Sequence, residues 1–411
     1  MSSSSAVRPP QPKPGIHWPT ALQFSFSALG SLLFWSLAIG SLTFGGYQLL
    51  ADGAGADGYT ALFLNTAGLF FLGIALLPSA WFSFLRLMGH SPHIPIGLAR
   101  IGQALIGRVP TLVLVALVFG AIASQNESVA WLLLPILHVA AVSLIMLGIL
   151  RLAIRGIAMG SAQRVWGVLA AGLTLGPLFS IIFEVLAGGI FLVIATFYAA
   201  SQPQLASAFS QLIDRASTGL SNPELLLSEM QPLLSDPILL ALVLGLIAFV
   251  VPLIEELLKP IGVWLLLGRN LSPASGFALG ALSGAGFALA ESLTLGATTE
   301  GWLATTTARI GTSSLHILTA GLMGWALAVA KKERRFGLLL LTYAVSVVLH
   351  GLWNGMVILG VYASLGALAG SELLPIHFAI SSWLVLLVLA AGCIILLVLN
   401  NRRLPRATTL A

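Results

Sequence analysis

The chain has 411 residues, of which 58% are apolar and 8% charged, against roughly 25% charged in an ordinary globular domain. With a mean hydropathy of +1.00, a water-soluble surface is excluded and an integral membrane protein is expected. The net charge of +5 comes from short basic clusters between apolar runs, which argues against a nucleic-acid face, and a lone Cys393 excludes an intrachain disulfide framework or thiolate metal cage.

Residues 1–20 are rich in Ser and Pro, carry Arg8 and Lys13, and show no apolar period, so a disordered tail is expected. The first apolar run is long enough to span and shows no small-residue cleavage pattern, so it is not a signal peptide. A span needs about 20 apolar residues. Ten runs qualify: about 22–50, 60–85, 104–124, 129–150, 165–199, 238–268, 271–296, 309–330, 336–360 and 376–400. The fold class that follows is all-α, a polytopic transmembrane helix bundle in the cell membrane.

Basic residues set the orientation, because cytoplasmic loops collect Lys and Arg. With the N-terminus inside, sixteen basic residues fall on the inner side, from Arg8 to Arg406, against Arg215 and Arg309 outside. Both termini are then cytoplasmic, which requires an even number of spans. The organisation expected is a tail at 1–20, an N-terminal five-span region at 21–200, an extracytoplasmic amphipathic loop at 201–236, a catalytic bundle at 237–400 and a cytoplasmic tail at 401–411. In the loop, Leu205, Phe209, Leu212 and Ile213 share a helical face, and Asn222-Pro223-Glu224 reads as a helix start.

Ionisable residues within a bilayer are expensive and usually face a polar interior. The first five spans hold only His138 and Glu184, each isolated in sequence and read as structural. His90 and His93, in an inner loop, read as solvated. Four consecutive spans of the second half hold Glu255, Glu256, Lys259, Glu291, His316, His350 and Asn354. Glu255 lies about 21 Å of helix from Arg269, and His316 and His350 lie about 22 Å from Lys331 and Arg335. Glu291, near 30 Å from Leu271, is within a tilt of the same level. One polar chamber, slightly outside the midplane, accounts for the agreement.

Glu255 and Lys259 are one turn apart and are expected to pair, bracketed by Pro252 and Pro260, which kink the helix and free carbonyls. His350 and Asn354 project together, Phe287 precedes Glu291 by one turn, and small residues around these spans allow close packing. Glu and His can activate water directly or as ligands of a metal, and His and Asn donors can stabilise an oxyanion. Two His and one carboxylate also make a known catalytic zinc set. Hydrolysis of a peptide bond in a transmembrane or membrane-anchored protein is the reaction these groups suit. A proton- or ion-coupled transporter or a non-catalytic scaffold is the alternative.

Glu255-Glu256-Leu257-Leu258-Lys259, then Phe287-Ala288-Leu289-Ala290-Glu291, His316, and His350-Gly351-Leu352-Trp353-Asn354 together resemble the PrsW family of intramembrane proteases. That family is related to the CAAX-prenyl-protease and bacteriocin-processing group, and the resemblance covers roughly residues 238–360. It implies that Glu255 or Glu256 activates the water, with Glu291 sharing the task. It implies that His350 and Asn354 hold the carbonyl oxygen, and that Glu291, His316 and His350 are the ligands if a divalent ion such as zinc is used, with Lys259 and Phe287 as support. Two departures stand out: Lys259 follows the second Glu by three where the prenyl proteases place an Arg four beyond, and Ser292 follows Glu291 where many members have Asn.

Overall fold

The computed structural model describes residues 17–52, 56–90, 104, 107–218, 230–294, 299, 301–368 and 374–404. Most of both terminal tails and the expected helix start at Asn222-Pro223-Glu224 lie outside the described residues. Within them the chain is helical and carries no strand.

The first span, α1 (Trp18–Gly40), continues through a π-helical turn at Ser41–Gly45 to Asp52. It is followed by α2 (Ala56–Leu87), α3 (Val109–Ser124), α4 (Glu127–Ile154), α5 (Ala162–Ser201) and α6 (Pro203–Thr218). The expected sixth span is broken into α7 (Pro237–Gly245), a π-helical turn at Leu246–Val250, α8 (Val251–Leu258) and α9 (Ile261–Trp264). Four long helices complete the bundle: α10 (Pro273–Thr294), α11 (Trp302–Glu333), α12 (Phe336–Leu368) and α13 (Ile376–Arg403). Side-chain caps explain several starts: Asn126 accepts from the Ser128 amide, Ser161 from Arg164, and Asp236 from Ile238 and Leu239.

Nine helices among the described residues are long and apolar enough to cross a membrane. The tenth expected span, 104–124, is represented by α3, whose 16 residues extend about 24 Å and fall short of a bilayer core of about 30 Å. Three contacts nevertheless place helix ends together. Arg86, at the end of α2, donates to Gln163 at the start of α5 (2.9 Å), and Gln163 donates to Thr20 at the start of α1 (3.3 Å). Asn401, near the end of α13, donates to the carbonyls of Ala153 and Arg155 that close α4. The described helical chain therefore begins and ends at one end of the bundle. At the opposite end the Tyr198 hydroxyl donates to Asp236 (3.1 Å), so the segment between α5 and α7 leaves and returns on one face. Within that segment α6 buries Leu205 and Ala208.

The core is densest around α10 and α11. Beside Gly284 the α11 backbone comes so near that a Cβ there would collide with the His316 carbonyl, so only glycine permits the approach. One cluster of buried side chains joins Leu72 and Leu76 of α2, Ile145 of α4 and Leu173 of α5 to Phe277, Leu289, Ile317 and Leu397. The outward faces of α1, α5 and α13 are covered with exposed Leu, Ile, Val and Phe, as lipid contact requires.

Candidate active site

Each wall of the site is built by a local feature of the backbone. Pro252 lacks an N–H, and the Val251 amide bonds Leu246 across the π-helical turn, so the carbonyl of Ile247 has no amide donor in its own helix at either the i+4 or the i+5 position. Asn354 of α12 supplies one, at 3.0 Å. The Ala248 carbonyl, also deprived by Pro252, faces Gly351, where a side chain would not fit. After Pro260 ends α8, Trp264 donates to the Leu257 carbonyl and Ser283 of α10 to that of Lys259 (2.6 Å). Tyr343 of α12 donates to the Leu253 carbonyl (2.7 Å). The expected kink is real, and side chains of α10 and α12 satisfy what it frees, which fixes α8 against both.

Lys259 sits at the centre. Its ammonium is fully buried and lies 2.6 Å from Glu256 Oε1, 3.1 Å from Glu255 Oε2 and 3.1 Å from His350 Nδ1. The ring of Phe287 is 5.4 Å away. Two carboxylate oxygens and one imidazole nitrogen thus surround the ammonium. The expected Glu255–Lys259 pair is present, but Glu256 is the nearer partner. His350 Nδ1 is 3.0 Å from Glu256 Oε1, and its Nε2 is 3.8 Å from Glu255 Oε2.

A second group faces this one. His316 Nε2 lies 2.9 Å from Glu291 Oε2, and Glu291 Oε1 lies 3.5 Å from Arg309. The His316 ring stands edge-on to His350, with centroids 5.4 Å apart, and 5.9 Å from Phe287. Six of the seven residues singled out in these spans thus form one chamber. Asn354 lies one turn from His350, with its amide engaged on Ile247. Arg309, read from sequence as an outer basic residue, is an ion-pair partner of Glu291. Its place seven residues before His316, two turns up the same helix face, was the available signal.

Exposure separates the three carboxylates: Glu256 is sealed at 0%, while the side chains of Glu255 and Glu291 keep 12% and 28%. Three carboxylates face two cations, Lys259 and Arg309, so the chamber has a surplus of negative charge when the histidines are neutral. Glu255, His316 and His350 each present a ligand atom, and these atoms lie within 4.8 Å of one another. The sequence-based set had Glu291 in place of Glu255; Glu291 instead touches the far nitrogen of His316. The buried Nδ1 of His316 and Oε2 of Glu256 have no hydrogen-bond partner. Polar atoms left bare in a core call for water or an ion, and the charge balance and donor set suit a divalent cation.

Two polar residues of the first half lie at the margin of this cluster, Glu184 within electrostatic reach of Glu255, Lys259 and Glu291, and His138 within reach of Arg309. His138 is buried edge-on against Trp302, with centroids 6.4 Å apart. Glu184 has one buried oxygen without a partner. No curated protein and no solved structure matches the chain. Residues 225–394 match the family model described as PrsW family intramembrane metalloprotease. That segment contains every member of the chamber, so the part of the chain that builds the site is similar to the PrsW intramembrane metalloproteases.

Proposed function

We propose that the protein is an endopeptidase that hydrolyses a peptide bond of a membrane-anchored polypeptide inside this chamber, with Glu255, His316 and His350 as the ligands of a divalent cation. The reading rests on one observation: three carboxylates, two histidines and a buried lysine from four separate elements converge on one largely buried site. When bound, the cation would polarise the scissile carbonyl and acidify the attacking water.

A bound cation would fix the tautomers. Were it to take His350 through Nε2, the proton would sit on Nδ1, 3.0 Å from Glu256 Oε1, with the Lys259 N–H groups turned to the two carboxylates. Were it to take His316 through Nδ1, the atom with no partner, the proton would sit on Nε2, 2.9 Å from Glu291 Oε2. Both histidines then carry a carboxylate on the nitrogen opposite the ligating one, the outer-shell arrangement that orients metal-binding imidazoles and raises their basicity. Glu256 and Lys259 act through His350 and Glu255 as positioning residues. Asn354 holds the π-helical turn before α8 to α12.

Glu291, the most open of the carboxylates, accepts a proton from the attacking water as the new C–O bond forms at the peptide carbonyl. The same proton then passes to the amide nitrogen, the C–N bond breaks, and an acid and an amine leave. Zinc is the cation that two histidines and one carboxylate suit best.

The test pairs the metal content of the purified full-length protein with cleavage of transmembrane reporter polypeptides in proteoliposomes. Glu255→Gln, His316→Ala and His350→Ala should each lose both metal and cleavage. Glu291→Gln should keep its metal and lose cleavage. Glu256→Gln should weaken metal affinity about 10–100-fold and recover cleavage when metal is raised. Full cleavage by Glu255→Gln, or by metal-free protein in chelator, would sink the assignment. A carrier would instead move protons or ions across sealed vesicles and yield no cleaved product.

A further inference from the structure

A cavity of about 800 Å³ opens between the starts of α1 and α5 and the segment after α9. None of the chamber residues lines it. Its basic rim carries Arg86, Arg164 and Arg269, and no Asp or Glu lines it among the described residues. Behind the rim lies an ordered polar wall. Gln163, itself buried, accepts from Arg86 and donates to Thr20 and to Gln23 (3.1 Å), while Gln23 donates back to the Gln163 carbonyl and to Ser79. Away from the rim the lining turns apolar, with Leu22, Phe26, Leu29, Phe179 and Leu265. Leu22, Leu29 and Leu265 are more than half exposed on the outward surface, so the cavity opens sideways into the bilayer.

We infer that this cavity is a binding site for an anionic phospholipid, whose phosphodiester lies among the three guanidiniums and whose acyl chains run along the apolar wall. Charge complementarity chooses the occupant. Three arginines with no facing carboxylate are unfavourable together unless an anion joins them, and guanidinium is suited to phosphate in two-point contact. The rim lies at the end of the bundle where α2 and α9 finish and α1 and α5 start, the end at which basic residues collect. Basic pockets between helices on a cytoplasmic face are where acidic headgroups bind. An unrelated apolar helix would fill the lower wall but leave the rim unsatisfied.

The test uses the full-length protein in detergent, with retained lipid counted by native mass spectrometry. Phosphatidylglycerol and phosphatidylcholine of identical acyl chains are the probes. The wild type should retain the anionic lipid preferentially. Arg164→Gln with Arg269→Gln should weaken that retention about thirtyfold, each guanidinium contributing about fivefold. Arg402→Gln with Arg403→Gln, which removes two charges away from the cavity, should leave it within about twofold. Ser25→Trp, which narrows the cavity without changing a charge, should lower retention of both lipids.

Equal retention of the two lipids by the wild type would overturn the proposal. So would loss of the anionic lipid to the same degree in the Arg402/Arg403 pair, which would mean a diffuse surface effect. Should the Arg164/Arg269 pair fail to fold, Ser25→Trp decides: undiminished retention of phosphatidylglycerol refutes the site, and its loss supports it.

Discussion

The ammonium of Lys259 is the residue on which the chamber's electrostatics turn. Fully buried, it faces two carboxylates and an imidazole within 3.1 Å. Removing one partner of a buried ion pair leaves the other charge unpaired and costs about 3–5 kcal/mol. Lys259→Met should therefore lower the apparent thermal midpoint of the full-length protein sharply, and combining it with Glu256→Gln should restore most of the loss, because the neutral pair removes the uncompensated charge. A double variant no more stable than Lys259→Met alone would refute the pairing. Spacing alone predicted Glu255 as the partner, but residues three and four apart share a helix face equally well. Both pairs are present, and Glu256 is the nearer, its Oε1 also 3.0 Å from His350 Nδ1. The candidate metal set was no clearer in the sequence. Glu255 and Glu291 are expected at one level, and with His316 Nε2 against Glu291 it is Glu255 that presents an oxygen within 4.8 Å of the two imidazoles.

At the scale of an element, the broken sixth span joins sequence to site most directly. Pro252 and the π-helical turn before it deprive Ile247 of an amide donor, and Asn354 supplies one from another helix. Asn354→Ala should destabilise the protein by about 1–3 kcal/mol, the range for a buried carbonyl left bare. In a Pro252→Ala background the restored N–H can serve that carbonyl, so the same replacement should cost less, a coupling of about 0.5–3 kcal/mol in a double-mutant cycle of unfolding midpoints. Additive effects would mean that the amide of Asn354 has another duty, including the oxyanion role that family resemblance suggests. The prolines announced a kink in the sequence and hydropathy announced the span. The π-helical turn was hidden, because an extra residue in an apolar helix changes neither composition nor length. The common level of Glu255, His316 and His350, by contrast, was legible because helical rise is constant and each helix carries a basic anchor near its inner end. The lipid-sized cavity left no trace in any one run, being lined from helices far apart in the chain.

For the whole molecule, hydrogen bonds between helix ends constrain how the chain threads the membrane. The end of α2 and the start of α5 meet through Arg86 and Gln163, so the chain between them must cross an even number of times. Since α4 is long enough to cross, one further crossing is expected between α2 and α4, and α3, with 16 residues, is the helix described there. A cysteine at Ser128, in the first turn of α4, should react with an impermeant maleimide in intact cells, and cysteines at Ser5 and Ala411 should react only after the cells are opened. Labelling of Ser128→Cys only in opened cells would remove α3 as a crossing. The same cohesion bears on whether the family-matched segment can stand alone. Residues 225–394 carry the whole chamber, yet α10, which bears Phe287 and Glu291, is almost wholly enclosed and packs on α5 so tightly that no Cβ would fit at Gly172 against Ser283. Expressed alone, residues 225–411 would present that packing surface to lipid, with small side chains and no partner, and should show neither a cooperative thermal transition nor retained metal. Co-expressed with residues 1–224 as a separate chain, they should recover both, because the break falls between α6 and α7 and severs no described helix. An isolated 225–411 fragment with the full-length midpoint would show that the first five helices are dispensable to the site, and that their packing against α10 contributes little to holding Glu291 and His316 in register.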